Sequence, residues 1–524
     1  MAGPAAEPHV APHVYGRHGE IRGLSRNREK NEATKLRSPE APKFEGLFGR
    51  MFDKGSSVGE EILGRLATAM TAPADRAPSE HEPDDDENRG TAEDPGISAG
   101  YTYLGQFIDH DITFDPASSL QSKNDPHALI DYRTPRFDLD NLYGRGPADQ
   151  PYLYEHDHMS FVLGNPLTRN DHDRHACDLP RSTATGRAII GDPRNDENEI
   201  VSQLHAAMMR FHNLMVKKMV KEHQDTTFDQ VQQAVLWHYQ WIVLHDFLPT
   251  IINRETLNSI LPQGRPPRLE FFNKRRWKKG VFMPVEFSVA AYRFGHAMIR
   301  PLYRLNTTQA ERLPLAGLFG FQRPRDGRAI DWSLFFPGKK HQPLTGRERL
   351  QWAYKIDTSL VHPLGGLITR ILPEQPPVAP HLHSLAWRDL IRGLEMSLPS
   401  GQAVAKHMYR HRKPIPDEDL KIGPATEAAA VNNKSLVSVS RAFKNKAPLW
   451  FYVLAEAQQQ FENNQTPIRL GPVGGRIVAE VIVGLMWADP ASVLHNKRFR
   501  PEIAVNGSFT MWDLLEFVRQ GNPR

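Results

Sequence analysis

A mainly α fold, one large helical domain with long loops and few short strands, is predicted by three features of the sequence. Apolar residues recur at spacings of three and four through most of the chain beyond Gly96. Runs that alternate as strands do are few and short, and 42 prolines fit many helices joined by long, stiff loops. At 40% hydrophobic and 24% charged, the 524 residues can bury a core, which excludes wholesale disorder. Cys177 is the only cysteine, so no disulfide scaffold exists and a multiply disulfide-linked dimer is disfavoured; the oligomeric state stays open. A net charge of +4 is too small to argue for nucleic acid.

Taken in order, residues 1–95 read as an N-terminal extension, partly disordered, and residues 96–524 as the catalytic domain. The extension holds basic residues (Arg22, Arg26, Arg28, Lys30), an amphipathic piece near Glu60–Met70, and an acidic linker with Asp84, Asp85, Asp86 and Glu87 in a row. Such a run is expected to be a solvated loop. The segment Tyr103–Asp111 forms an apolar helix bearing several polar groups. Val201, Leu204, His205, Met208, His212 and Met215 make one face of a long helix. Val231 to Leu248 gives a second, with Pro249 as its stop, and Pro284 opens a third through Val289, Arg293, His296 and Ile299. A fourth runs from Leu385 to about Met396. Ile477–Ala488, the most apolar stretch, carries Glu480 and is too short to cross a bilayer, so it reads as a buried helix. The N-terminus lacks the apolar run of a secretory signal, and a cytoplasmic protein without a membrane span is expected.

Four His-Asp doublets draw attention: His110-Asp111, His156-Asp157, His172-Asp173 and His245-Asp246. One reading is a metal-dependent phosphohydrolase, which needs such a pair plus a further His and Asp on the metal. With 23 His in the chain, chance accounts for three of the four, and the mid-helix His245-Asp246 suits capping or packing. The segment around His110 differs, because Gln106 lies four residues earlier on the same face and Asp109 a quarter turn away. Three further segments join it. Arg194 and Glu197 stand three apart before the long helix, and Gly295 beside His296 leaves room for a flat ligand. Asp389 offers a carboxylate to orient that histidine.

Gln106 with Asp109-His110-Asp111, a Thr134-to-Asp140 loop before Tyr143-Gly144, Arg194 with Glu197, and Phe294-Gly295-His296 follow one another in this order. In that order they resemble the animal-type haem peroxidases of the peroxidase–cyclooxygenase superfamily, including bacterial members, from about Gly96 to the C-terminus. The resemblance implies a haem-dependent peroxidase, an oxidoreductase that reduces hydrogen peroxide through a ferryl intermediate and oxidises small organic, halide or pseudohalide donors. It implies His110 as the distal acid–base group, Arg194 as the stabiliser of charge at the breaking O–O bond, and Gln106 as the residue orienting distal water or halide. His296 matches the proximal ligand of haem b, with Arg293 and Arg392 near the propionates. Asp109 and Glu197 match the carboxylates that form haem esters. Asp111, Thr134, the Arg136 carbonyl, Asp138 and Asp140 match a calcium site.

Three departures from the family pattern stand out. Asp389 replaces an Asn beside the proximal histidine, which implies a lower reduction potential and weak halide oxidation. Asn198 replaces the Met of a sulfonium link, which excludes that link, and Asp140 replaces a Ser at the calcium site. The alternatives are the phosphohydrolase, a catalytically silent binding protein, and a fatty-acid dioxygenase of the same superfamily. The dioxygenase needs a Tyr three residues before the proximal histidine, where Arg293 stands, with Tyr292 one place off. The electron donor depends on loops whose course the sequence does not fix.

Overall fold

The computed structural model describes residues 44–71, 96–113, 135–167, 172–309, 312–338, 347–365, 384–426, 432–463, 465–504 and 507–521. The architecture is mainly α, with three two-stranded sheets among the described residues. The expected basic residues 22–30, the acidic run 84–87 and Thr134 lie outside them.

The part of the expected extension that is described packs into the helical body. Strand β1 (Phe44–Gly49) pairs in parallel with β2 (Val281–Pro284), and helix α1 (Glu60–Met70) lies on α5 (Leu385–Glu395). The cause is apolar: Phe48, Met51, Phe52, Leu63 and Leu66 are buried in the main core. Glu286, fully buried, then accepts the backbone N–H groups of Met51 and Phe52 at 3.0 and 3.1 Å.

Helix α2 (Gly100–Ile112) and α3 (Glu199–Glu222) form the centre. Every apolar or histidine position expected on the inner face of α3 is buried. Its start is fixed by Asn198, whose Oδ1 accepts from Ile200 and Val201 N–H. Helix α4 (Phe228–Ile242) opens on a capping box between Thr227 and Gln230. Helices α6 (Gly401–Met408), α7 (Leu449–Glu462), α8 (Pro472–Ala488) and α9 (Met511–Gln520) complete the body. The buried helix expected at Ile477–Ala488 is α8, which begins earlier because Val473 and Gly474 donate to the Glu456 carboxylate. Among the described residues no helix is long and apolar enough to cross a membrane.

Two expected helices are corrected. Pro249 is no stop: α4 widens into a π turn at Val243–Phe247, and a short helix, Leu248–Ile251, carries Pro249 in its first turn, where no N–H is missed. The wide turn lets Asp246 accept from the Tyr101 hydroxyl at 2.5 Å and from Met511 N–H at 2.8 Å, so it caps α9. The helix expected to run on from Pro284 is broken. A single turn, Val285–Ser288, ends at Ala290 (φ −134°, ψ −78°), and Ala291–Met298 continues as a 3-10 segment. The break lets Tyr292 stack on Phe287, with ring centroids 4.6 Å apart, and donate to the Gly105 carbonyl on α2 at 3.2 Å.

Candidate active site

Two groups of side chains form the site, one on α2 with the loop before α3, the other on the 3-10 segment with α5. In the first, His110 is buried on α2 and its Nδ1 lies 2.8 Å from Asn195 Oδ1. Asn195 in turn donates from Nδ2 to His205 Nδ1 at 2.9 Å. An amide oxygen only accepts, so Nδ1 of His110 holds the proton and Nε2 presents its lone pair. Burial, reinforced by the Arg194 charge, pushes the His110 pKa down to about 4, so the ring is neutral above that pH. Its Nε2 takes no hydrogen bond from the described residues.

Arg194 is held on both sides. Its guanidinium pairs with the buried Asp192 at 2.8 Å and donates to the His110 carbonyl at 3.2 Å and to that of Thr113, closing the C-terminal end of α2. Gln106 donates from Nε2 to Glu197 Oε1 and accepts from Asn198 Nδ2 at 3.2 Å. Asn198, in the sulfonium position, is thus both helix cap and Gln106 partner. Burial pushes the Glu197 carboxyl up to about 7, with Arg194 opposing and Asp192 and Asp109 adding to the rise. Asp109 accepts from the Thr113 hydroxyl at 3.1 Å. Gln106, Asp109, His110, Arg194 and Glu197 are therefore brought into one cluster, as their sequence order suggested.

In the second group, His296 Nδ1 meets Asp389 Oδ2 at 2.5 Å, and its Nε2 has no partner among the described residues. Asp389 is fully buried; burial would raise its pKa, but His296, Arg293 and Arg392 together hold it below the usual carboxylate range. Arg293 also donates to the Ser288 carbonyl at 3.0 Å. The other oxygen of Asp389, Oδ1, is buried without a hydrogen-bond partner, and Asp389 lines a small cleft shared with Val289 and Trp450. The Tyr292–Gly105 bond pins this group to the first. His110 and His296 each stand roughly 8 Å along their own elements from that pin, at 1.5 and 2.0 Å per residue.

The residues fit a flat macrocycle with a nitrogen ligand. A Cβ on Gly295 would meet nothing within 4 Å, so open space lies beside His296, whose free Nε2 is an available ligand atom. Two guanidinium groups, Arg293 and Arg392, flank it for anionic substituents.

Behind His110, Asp111 turns the other way. Its carboxylate, with those of Asp138 and Asp140, supplies oxygens all within 4.8 Å of one another, and all three residues are buried. Leu139 between them takes a left-handed conformation (φ 53°), and the Arg136 side chain is anchored on Asp489 at 3.2 Å. The group includes no histidine, and the other doublets serve structure: Asp157 closes a turn on Ser160, Asp173 pairs with Arg210 at 2.6 Å, and Asp246 caps α9. Nothing among the described residues therefore gathers the His-Asp set of a phosphohydrolase. Sequence reasoning missed Asn195, Asp192 and His205, which orient the distal side chains.

The family model for animal haem peroxidases matches residues 117–324, a span with Arg194, Glu197 and His296 that begins after His110. Over that span the chain is similar to animal haem peroxidases. Thyroid peroxidase of Sus scrofa is 26% identical over 199 residues, 34% of this chain and 20% of that protein. A peroxidase-like protein of Margaritifera margaritifera is 23% identical over 362 residues, 57% of this chain and 44% of that one. The chain thus spans a fifth to under a half of these relatives' length. Among solved structures, Peroxidase A from Dictyostelium discoideum superposes with a TM-score of 0.59 at 15% identity, covering 92% of this chain and 98% of that one. A fatty acid alpha-dioxygenase from Oryza sativa reaches 0.57 at 14% identity, covering 92% and 80%. At such identities the likeness is one of fold.

Proposed function

We propose that the protein is a haem peroxidase that reduces hydrogen peroxide and oxidises small organic, halide or pseudohalide donors. The observation that carries this reading is a pair of imidazoles, each with Nδ1 held by a buried partner and Nε2 left open: His110 by Asn195, His296 by Asp389. Haem held between these residues would supply the redox-active centre that a two-electron reduction of peroxide needs.

The chain's own residues do the rest. His296 would hold the iron through Nε2, with Asp389 on its Nδ1 raising its basicity as a ligand. Arg293 and Arg392 pair with the propionates. His110 would accept a proton from peroxide at Nε2 and return it to the leaving oxygen, for which its neutral, Asn195-fixed form is suited. The Arg194 charge beside it, immobilised by Asp192, stabilises the negative charge that develops as O–O breaks. Gln106 orients water or halide. Asp109 and Glu197 are the candidates for ester attachment, and their presence in one cluster supports that role. Calcium is proposed at Asp111, Asp138, Asp140, the Arg136 carbonyl and Thr134, because three buried carboxylates within 4.8 Å repel one another unless a cation lies among them. A cytoplasmic location remains part of this reading, and the catalytic domain expected from about Gly96 is proposed to take in residues 44–71 as well, which pack into the same core.

The dioxygenase reading shares the fold but lacks support in the site. Tyr292, the tyrosine nearest the required place, donates its hydroxyl to Gly105 and is stacked on Phe287. The test is an absorbance spectrum of the haem-supplied protein, followed by peroxide-dependent dye oxidation. A Soret band is expected, with activity lowered about 10²- to 10⁴-fold in His110→Ala while the band persists. Absence of the band, or full activity in the variant, overturns the proposal.

A further inference from the structure

One surface of the molecule holds more positive charge than the whole chain. Residues 265–279 contain seven Lys or Arg and one acid, a net +6 against +4 for all 524 residues. Residues 406–413 contain four Lys or Arg, two His and no acid. The structure brings the two segments together: the Phe271 ring lies 5.9 Å from that of His407, and the Arg476 guanidinium sits 6.0 Å from Phe271 and 5.7 Å from Tyr409. Every Lys and Arg of the two segments whose side chain is described is exposed, and none of these forms an ion pair. Two of the nearby acids are engaged with Arg476, Glu480 at 3.1 Å and Glu270 at 3.7 Å. Asp417, just past the second segment, accepts from Gln402 Nε2 and Asn445 N–H, and Glu418 and Asp419 beside it are the exposed acids at the edge of the patch.

Like charges held side by side repel one another, and a fold that leaves them uncompensated is suited to an anionic partner. Within the first segment, Leu269 and Phe271 are half-buried apolar side chains between Arg268 and Lys274. That combination, a rim of cations around partly open apolar groups, fits a lipid headgroup layer. It fits nucleic acid less well: Trp277, the aromatic at the centre of the cluster, is 4% exposed and offers no stacking platform, and Arg276–Lys279 is one 3-10 turn, too short to fill a groove. We infer that residues 265–279 and 406–413 form a docking surface for an anionic phospholipid bilayer, through which the protein associates peripherally with membranes. The inference is independent of the haem reading.

The test is co-sedimentation of the full-length, haem-supplied protein with phosphatidylcholine vesicles, with and without about one-third phosphatidylserine, the anionic fraction that sets the surface potential. Binding is expected to the anionic vesicles only, and to weaken as salt rises. Each cation near such a surface is worth about five-fold in affinity, so K274A/R275A/R276A is expected to lose about 100-fold. K406A/R410A/K413A should lose a similar factor, while K217A/K221A on α3 should change nothing. Equal binding to neutral vesicles, or undiminished binding by both triple variants, overturns the inference. So does tighter binding to duplex DNA than to anionic vesicles at the same salt. Far-UV circular dichroism of each variant, with melting unchanged, separates lost docking from lost fold.

Discussion

Asn195 stands between two histidines, and its chemistry decides which nitrogen of His110 holds the proton. Asn195→Ala is expected to free the ring and lower the rate constant for the peroxide step about 10-fold or more, within the range general base catalysis contributes. The Soret band should be unchanged; stopped-flow mixing with peroxide checks it. Asp389 is the second residue with a measurable signature. Partners of ligating histidines shift metal affinity about 10- to 100-fold, and a tenfold change is about 59 mV for a one-electron couple. Asp389→Asn should therefore raise the midpoint potential by roughly 60–120 mV, read by redox titration. A rise of only a few millivolts would refute the role given to the carboxylate. The residues proposed to hold the cofactor could be named from the sequence because they follow one another in a recognisable order. Asn195 was not, since nothing in Pro193-Arg-Asn-Asp196 distinguishes it from Asp196, which the fold spends on Arg181 at 2.7 Å.

At the scale of elements, α2 serves two sites at once, presenting His110 to one side and Asp111 to the other. Withdrawing the proposed calcium with a chelator is expected to reduce activity while far-UV circular dichroism still reports intact helices. Simultaneous loss of both signals would argue that the carboxylate group holds the fold rather than the helix bearing His110. The periodic helices, α2 to α5 and α8, were legible because their inner faces follow helical spacing. Interruptions were not. The break at Ala290 depends on Tyr292 reaching the Gly105 carbonyl, and the π turn depends on Asp246 finding Tyr101 and α9, contacts more than a hundred residues away in sequence. Glu286 belongs to the same class. Replacing it with Ala strands two buried N–H groups and should cost about 1–3 kcal/mol for each, seen as a lower urea midpoint.

For the molecule as a whole, buried titratable groups set the pH profile of stability. Burial pushes Glu456 up to about 7 and Asp246 up to about 6, and pushes His212 down to about 4. A raised carboxyl keeps its proton in the folded state after the unfolded chain has lost it, so stability falls as pH climbs from the unfolded value through the folded one. His212 acts in the opposite sense, because its unfolded form takes up a proton below about 6.5 that the folded form refuses until about 4. The opposing slopes overlap between about 4.5 and 6.5, leaving Glu456 and Glu197 to drain stability up to about 7. Melting temperatures measured across this range should fall toward neutrality and then level. Glu456→Gln, which keeps an acceptor for Val473 and Gly474, should flatten the fall.

The pairing of β1 with β2 bears on how the protein can be shortened. A chain trimmed to begin at Gly96 would leave Val281–Pro284 as a bare strand edge, with the carboxylate of Glu286 stripped of both its backbone donors. Unpaired edges of that kind invite strand-to-strand aggregation between molecules. Insolubility of the trimmed protein, relieved by restoring residues 44–71, would be its laboratory sign.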